Sequence, residues 1–274
     1  MARVADLAES GGTIVVVAGT SHREAIETQL AEIGVKAQIL LEPEARDSAA
    51  AMAAGALWVM QRNPDGIIAF VASDHYVPDD AAFRASVLSA SQAAAEGRIV
   101  TLGVKPTDPS SAYGYIKPEG SGLAKVASFH EKPLAEAARE FIEAGYLWNS
   151  GNFIVSATTL IEELSIHAPA VLGAVASAIT PVADTSRVQV LGESFRHAPK
   201  ISIDYAVMEP TQRASVLEVD FNWSDLGAWN AIAASGEGGI GLHILEDAER
   251  ILTRAPDGKI VAALGVSDLA IIVE

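Results

Sequence analysis

An α/β fold follows from three features of the chain, with a mostly parallel sheet covered by helices on its faces. Thr13–Gly19 and Ile67–Val71 are apolar without alternation, as strands buried on both faces are. Helix-like stretches separate such runs, and this succession makes right-handed crossovers between parallel strands. Half of the 274 residues are apolar, enough for one sizeable core. The pattern is Rossmann-like.

The elements follow in order. Residues 1–12 carry no strong pattern and end in Gly11-Gly12. After the Thr13–Gly19 strand, Ser21 with Glu24 three positions on predicts a capped helix. Val35–Leu41 is a short strand. Pro43 keeps the next segment extended, and Asp47 or Ser48 caps an alanine-rich helix from Ala49 to about Arg62. The Ile67–Val71 strand precedes a helix near Asp80–Glu96 and a strand at Ile99–Val104. Strands are expected at Ala112–Lys117 and Val126–His130, and helices across Ala135–Glu143, Ala157–His167 and Ala170–Ile179. Gly145–Phe153 leads into a further strand, and Ala214–Val219 is another. Phe221–Trp229 reads as a loop opening a helix. The tail from Ile240 reads as short β segments with a hairpin turn at Asp257-Gly258. Two parts are expected: an α/β domain over 1–235 and a small β-rich segment over 236–274.

The formal charge of −16 and pI of about 4.7, with no basic cluster, make nucleic acid and anionic membranes poor partners. The chain has no cysteine, which excludes a disulfide framework, a thiol nucleophile and a thiolate metal site. No apolar run approaches the ~20 residues of a membrane span, and the start lacks a signal-peptide pattern. The cytoplasm is the expected location.

Ligands of open α/β sheets bind beyond the carboxyl ends of strands. Ser73-Asp74-His75, closing the Ile67–Val71 run, is therefore a candidate site segment; the plainer reading of Asp74 is the start of a turn.

Several stretches in one order carry a family resemblance: Leu41-Glu42-Pro43 with Arg46-Asp47-Ser48-Ala49, Ser73-Asp74-His75, Tyr113-Gly114-Tyr115-Ile116, Phe129-His130-Glu131-Lys132-Pro133, Trp148-Asn149-Ser150-Gly151, Ser202–Glu209 and Trp223-Ser224-Asp225-Leu226-Gly227. Together they resemble the mannose-1-phosphate guanylyltransferases, sugar nucleotidyltransferases of GT-A type. That resemblance implies transfer of a guanylyl group from GTP to mannose 1-phosphate, giving GDP-mannose and pyrophosphate. It implies Mg²⁺ on Asp74 and Asp225, Lys132 on the sugar phosphate, and Glu131, Gly114 and Asn149 around the sugar. Asp204 falls in a matching motif near the sugar, and Glu42 and Arg46 match the nucleotide side. Asp74, Lys132 and Asp225 are then the catalytic set. A homodimer is compatible with it.

Each residue has a plainer reading beside this one. Asp225 could cap a helix, Glu131 and Lys132 could be an ordinary exposed pair, and Gly114 could mark a bulge. Asn149 could be a turn amide, and Arg46 a helix-end cation. The family opens with a strand and a glycine-rich loop bearing an arginine; residues 1–13 hold only a partial echo in Gly11-Gly12-Thr13. The polypeptide as given is therefore expected to turn over slowly or not at all, and a non-catalytic nucleotide-sugar-binding or regulatory relative is the alternative.

Overall fold

A computed structural model describes Leu7 and residues 11–179, 187–226, 242–247, 249–256 and 259–273. It divides into two compact units: residues 1–73 with 79–222, and 74–78 with 223–274.

In the first unit, β1 (Ile14–Gly19), β2 (Ala37–Glu42) and β8 (Val188–Val190) form a three-stranded parallel sheet in the order β1-β2-β8. Helix α1 (Arg23–Glu32) connects β1 to β2 and buries Ile26 and Leu30 against Ile39 and Leu41. Its entry departs from the expected cap. A 3-10 turn, Thr20–His22, precedes it, and neither its end nor that turn carries a side-chain capping bond.

Helix α2 (Asp47–Met60) follows β2 and buries nearly its whole length, Ala49 through Gly55 included apart from Ala51. Small side chains permit that: alanine adds no side-chain entropy cost and lets neighbouring elements approach closely. The expected cap is absent. Ser48 Oγ instead accepts the Ile203 N–H at 2.8 Å, and Ala49 N–H bonds Ile201 O, tying α2's first turn to a segment far along the chain.

The larger sheet runs β3-β7-β4-β9-β6-β5, built from β3 (Ile67–Phe70), β4 (Ile99–Val104), β5 (Tyr115–Pro118), β6 (Leu123–His130), β7 (Leu147–Ser156) and β9 (Ala214–Val219). Here pairing direction departs from the expected mostly parallel sheet. Only β4 and β9 are parallel; β7 runs antiparallel to β3, β4 and β5, and β6 antiparallel to β5 and β9. The α/β class holds, and the sheet is mixed because β5 and β6 pair antiparallel as sequential neighbours and β7 runs against β3 and β4. Helix α3 (Asp80–Ala95) opens where expected, with Asp79 Oδ1 accepting the Ala82 N–H at 2.8 Å. Helices α4 (Ala135–Glu143), α5 (Ala157–His167) and α6 (Pro169–Ala178) complete the unit, α5 and α6 packing on α2 in the main core.

In the second unit, β10 (Leu242–Glu246) pairs in parallel with β12 (Ile260–Leu264), and β11 (Glu249–Arg254) with β13 (Ser267–Ile272). Leu242 sits opposite Ile260 and Glu249 opposite Ser267, so the chain stacks coil upon coil. The expected hairpin turn at Asp257-Gly258 lies outside the described residues, and the strands flanking it pair with β10 and β13 rather than with each other.

Candidate functional site

One group of expected site residues meets in the first unit, where β5 and β7 begin and β6 ends, beside residues 202–209. β7 carries the key distortion. Thr101 of β4 lies opposite Phe153, but Gly103 lies opposite Asn149, so the β7 partner strand holds extra residues across that step. Gly151 takes φ +69° inside the bulge, a conformation glycine adopts without the strain of a Cβ. Bulges re-aim side chains, and here Gly151 N–H turns back to Asn149 Oδ1 at 3.1 Å.

Asn149 is buried and both ends of its amide are engaged. Oδ1 also accepts from Thr101 Oγ1 at 2.7 Å, which fixes the amide's orientation, and Nδ2 donates to Asp204 Oδ1 at 2.8 Å. The Gly114 carbonyl accepts the Asn149 backbone N–H at 2.8 Å. A Cβ at Gly114 would lie 2.6 Å from Glu131 Oε2 and 3.3 Å from Asn149 Cβ. Gly114, Glu131, Asn149 and Asp204 therefore form one contiguous cluster.

Glu131 follows the last residue of β6, its side chain 7 % exposed, with Oε1 3.3 Å from Lys132 Nζ. Its backbone N–H is 3.4 Å from Glu209 Oε1. Burial raises the Glu131 pKa and the Asp204 charge adds to this, against the opposing Lys132 ammonium. Burial likewise raises Asp204, opposed by hydrogen bonds from its own backbone N–H and from Asn149. Partial burial works against the Lys132 charge, yet the bond and charge of Glu131, with Asp204, outweigh it and hold the ammonium above its usual pKa.

Lys132 has φ +46° and stands directly before Pro133. Proline disfavours helical conformations in the residue before it, and a non-glycine residue in the left-handed region costs about 1–3 kcal/mol. Such strain clusters at functional sites. Asp204 opens a short π-helical turn, Asp204–Met208, that buries Ala206, Val207 and Met208 and leaves Tyr205 outside.

Glu42 is the last residue of β2, and Arg46 immediately precedes α2. Glu42 pairs with Gly19 of β1 and is only 9 % exposed. Its Oε1 is buried with no hydrogen-bond partner among the described residues, and burial pushes its pKa up to about 7. Arg46 pairs with Glu44 at 2.9 Å, Glu44 also meets Arg196, and Arg46 Nε is buried and unpartnered among the described residues.

Asp74 and Asp225 belong to the second unit. Tyr76 and Ser224 bridge antiparallel there, Tyr76 N–H to Ser224 O at 2.8 Å and Ser224 N–H to Tyr76 O at 3.0 Å. Trp223 Nε1 donates to His75 Nδ1 at 3.2 Å. Asp74 and Asp225 thus flank one bridge on neighbouring segments. Among the described residues no three acidic or histidine side chains are grouped as a metal cage. Two carboxylates still suit a divalent ion that takes its remaining ligands from phosphate and water. The helix that Asp225 could cap lies outside the described residues.

Thr101, Ser48 and Glu209 are not among the expected site residues. The signal for Thr101 is a hydroxyl within the apolar run Ile99–Val104, since a buried polar group needs a partner.

The sequence profile of the nucleotidyl transferase family matches residues 3–237. The chain belongs to the nucleotidyl transferase family. It is similar to a mannose-1-phosphate guanylyltransferase of Sinorhizobium fredii (strain NBRC 101917 / NGR234), 43% identical over 84% of this chain and 46% of that protein. The protein of that description from Escherichia coli (strain K12) is 36% identical over 94% of this chain and 58% of its own length. The chain thus spans about half the length of the curated relatives it matches. Among solved structures, one described as a mannose-1-phosphate geranyltransferase from Thermus thermophilus superposes with a TM-score of 0.84. It is 32% identical, over 99% of this chain and 80% of that one.

Proposed function

We propose that the chain performs guanylyl transfer from GTP to mannose 1-phosphate, releasing pyrophosphate and GDP-mannose. The observation that carries this reading is the Gly114–Glu131–Asn149–Asp204 cluster with Lys132 at its edge, a set of polar groups suited to a sugar phosphate. The curated relatives' activity supports the choice of sugar and nucleotide.

Both reactants are anions, so the protein's task is alignment and neutralisation of charge. In this reading the Lys132 ammonium, held protonated by Glu131 and Asp204, meets the sugar phosphate. Glu131 accepts hydrogen bonds from sugar hydroxyls, and the missing side chain at Gly114 leaves room for its carboxylate. Asn149 has both amide atoms engaged, so it acts chiefly by holding Asp204, which then serves as an acceptor beside the sugar. On the nucleotide side, the unpartnered Glu42 carboxylate suits the adjacent N–H donors of guanine, which uracil does not present in that pairing. Arg46 supplies a cation beside it.

Nucleotidyl transferases generally use a divalent metal; Asp74 and Asp225 would hold it, and Mg²⁺ is the ion proposed. When bound it neutralises phosphate charge.

Isothermal titration with GDP-mannose, mannose 1-phosphate, GTP and UTP tests the reading. Binding of GDP-mannose and a preference for GTP over UTP are expected, with Lys132→Ala weakening mannose 1-phosphate by at least about tenfold, the loss of one charge-assisted contact. Unchanged affinity in Lys132→Ala would remove Lys132 from the site, and absence of nucleotide-sugar binding would overturn the function.

A further inference from the structure

The segment 41–49, which holds Glu42 and Arg46, is joined at four points to the segment 191–203, which leads into Asp204. Leu191 N–H donates to Leu41 O at 2.9 Å, and Arg196 Nη1 lies 3.2 Å from Glu44 Oε2. Ala49 N–H donates to Ile201 O at 3.3 Å, and Ile203 N–H to Ser48 Oγ at 2.8 Å.

The four contacts differ in kind. The Leu191 bond extends the pairing of β2 with β8. The Glu44–Arg196 pair is exposed on both sides, where an ion pair is worth little. The Ala49 bond joins backbone to backbone. The Ser48 bond sets a side chain of one segment against the backbone of the other. Ser48 is half-buried and Ile203 only 2 % exposed, so loss of that hydroxyl leaves a shielded N–H without its acceptor, a costly state.

A serine at a helix start ordinarily turns its oxygen back onto its own first turn. Here Asp47 faces inward instead: its Oδ1 accepts the Ser48 N–H at 2.8 Å, with Asp47 at φ +67°. That backbone conformation is unfavourable for a residue with a side chain and persists where surrounding contacts hold it. Ser48 is thereby free to reach across to Ile203. The next residue, Asp204, opens the π-helical turn and accepts the Asn149 amide.

Resting on the reading of Glu42 and Arg46 as the nucleotide side and Asp204 as the sugar side, we propose that Ser48 is a positioning residue that couples the two substrates. A nucleotide held by Glu42 and Arg46 fixes the turn at Asp47 and Ser48. The fixed hydroxyl then holds Ile203, and with it the start of the turn that presents Asp204. A ligand on either side removes part of the ordering cost of the other, and the effect is equal in both directions. One neutral hydrogen bond transmits no more than its own net worth, about threefold to tenfold in affinity.

GMP is the nucleotide probe, since it carries the guanylyl group but no pyrophosphate to release. Isothermal titration gives the affinity of mannose 1-phosphate alone and with saturating GMP, and the ratio of the two is the coupling. Repulsion between the two phosphates is common to all variants and cancels when their ratios are compared. Ser48→Ala is expected to lower the wild-type ratio by at least about threefold, and Ser48→Thr, which keeps the hydroxyl, to restore it. In the wild type, GMP is expected to slow amide exchange at Ile203, and mannose 1-phosphate at Ala49, beyond any general change across β9. A Ser48→Ala protein that binds both ligands more weakly but keeps the wild-type ratio would overturn the proposal. So would an Ile203 amide indifferent to GMP, a measurement that decides the matter even where Ser48→Ala does not fold. A wild-type chain that binds neither probe would overturn the proposed function, and this inference with it, a result distinct from two bound ligands with an unchanged ratio.

Discussion

A methyl group on Gly114 would stand 2.6 Å from Glu131 Oε2, closer than real Cβ contacts come. The missing side chain before one strand therefore sets where the carboxylate after the next can lie. Gly114 has no positive φ, so its role is space rather than backbone freedom.

Gly114→Ala follows from this. The backbone tolerates alanine, and the nearest obstacle is the far end of a flexible side chain, so the stability cost should stay below about 2 kcal/mol. The carboxylate must swing away, however, and Lys132 loses its 3.3 Å partner. GDP-mannose affinity should fall by about tenfold or more, while the thermal midpoint moves by only a few degrees. A variant that binds as tightly as the parent would show that Glu131 has no part in the site.

Glu42 gives a pH dependence with a definite sign. Its folded pKa of about 7 lies above the usual 4.5, so the folded state holds a proton that the unfolded state releases. The associated stability is complete below pH 4.5 and is lost as pH rises through about 7. For a shift of this size the loss is about 3 kcal/mol. Glu42→Gln lacks the titration. Urea unfolding of the two proteins at about pH 5 and about pH 8, on either side of the folded pKa, should therefore show the variant gaining on the parent as pH rises. Its preference for GTP over UTP should fall by about tenfold or more. A stability difference independent of pH would mean that Glu42 finds a partner on folding.

What could be read in the sequence and what could not divide along the range of the interaction. The α/β class, the helix near Asp80–Glu96 and the strand preceding Glu131 rest on periodicity and local hydrogen bonds, which neighbouring residues determine. Ser48 looks like a helix cap by the same local logic, but its oxygen takes the N–H of Ile203. No local pattern distinguishes those two partners. The antiparallel placing of β7 among β3, β4 and β5 is likewise non-local. So is the bulge that turns Asn149 toward Thr101 and Asp204. The family resemblance placed Asn149, Glu131 and Gly114 around one sugar, with Asp204 near it, and the three-dimensional pairing adds the particular contacts by which they touch. The strain at Lys132, a left-handed residue before proline, has no signature in residue identity.

Asn149 offers the most direct test of the cluster's electrostatics. Its Oδ1 is fixed by Thr101 and Gly151, so Nδ2 must face Asp204, 2.8 Å away. Asn149→Asp preserves shape and keeps the accepting oxygen in place. It replaces the donor with a second carboxylate oxygen against Asp204, whose own pKa burial already raises. Two carboxylates so close cannot both ionise readily, and they hold one proton between them. Above neutrality the variant should lose about 2–4 kcal/mol of stability. Below the raised pKa of the pair the shared proton restores the hydrogen bond, and most of that loss should disappear. Chemical unfolding from about pH 4 to about pH 8 measures both arms, and Asn149→Ser, which removes the amide without adding charge, separates electrostatics from lost bonding. A pH-independent deficit in Asn149→Asp, equal to that of Asn149→Ser, would show that the Asn149–Asp204 contact is not maintained in solution. A deficit that grows with pH in Asn149→Asp alone would place Asp204 as an ionised acceptor, held by Asn149 for whatever meets it from the sugar side.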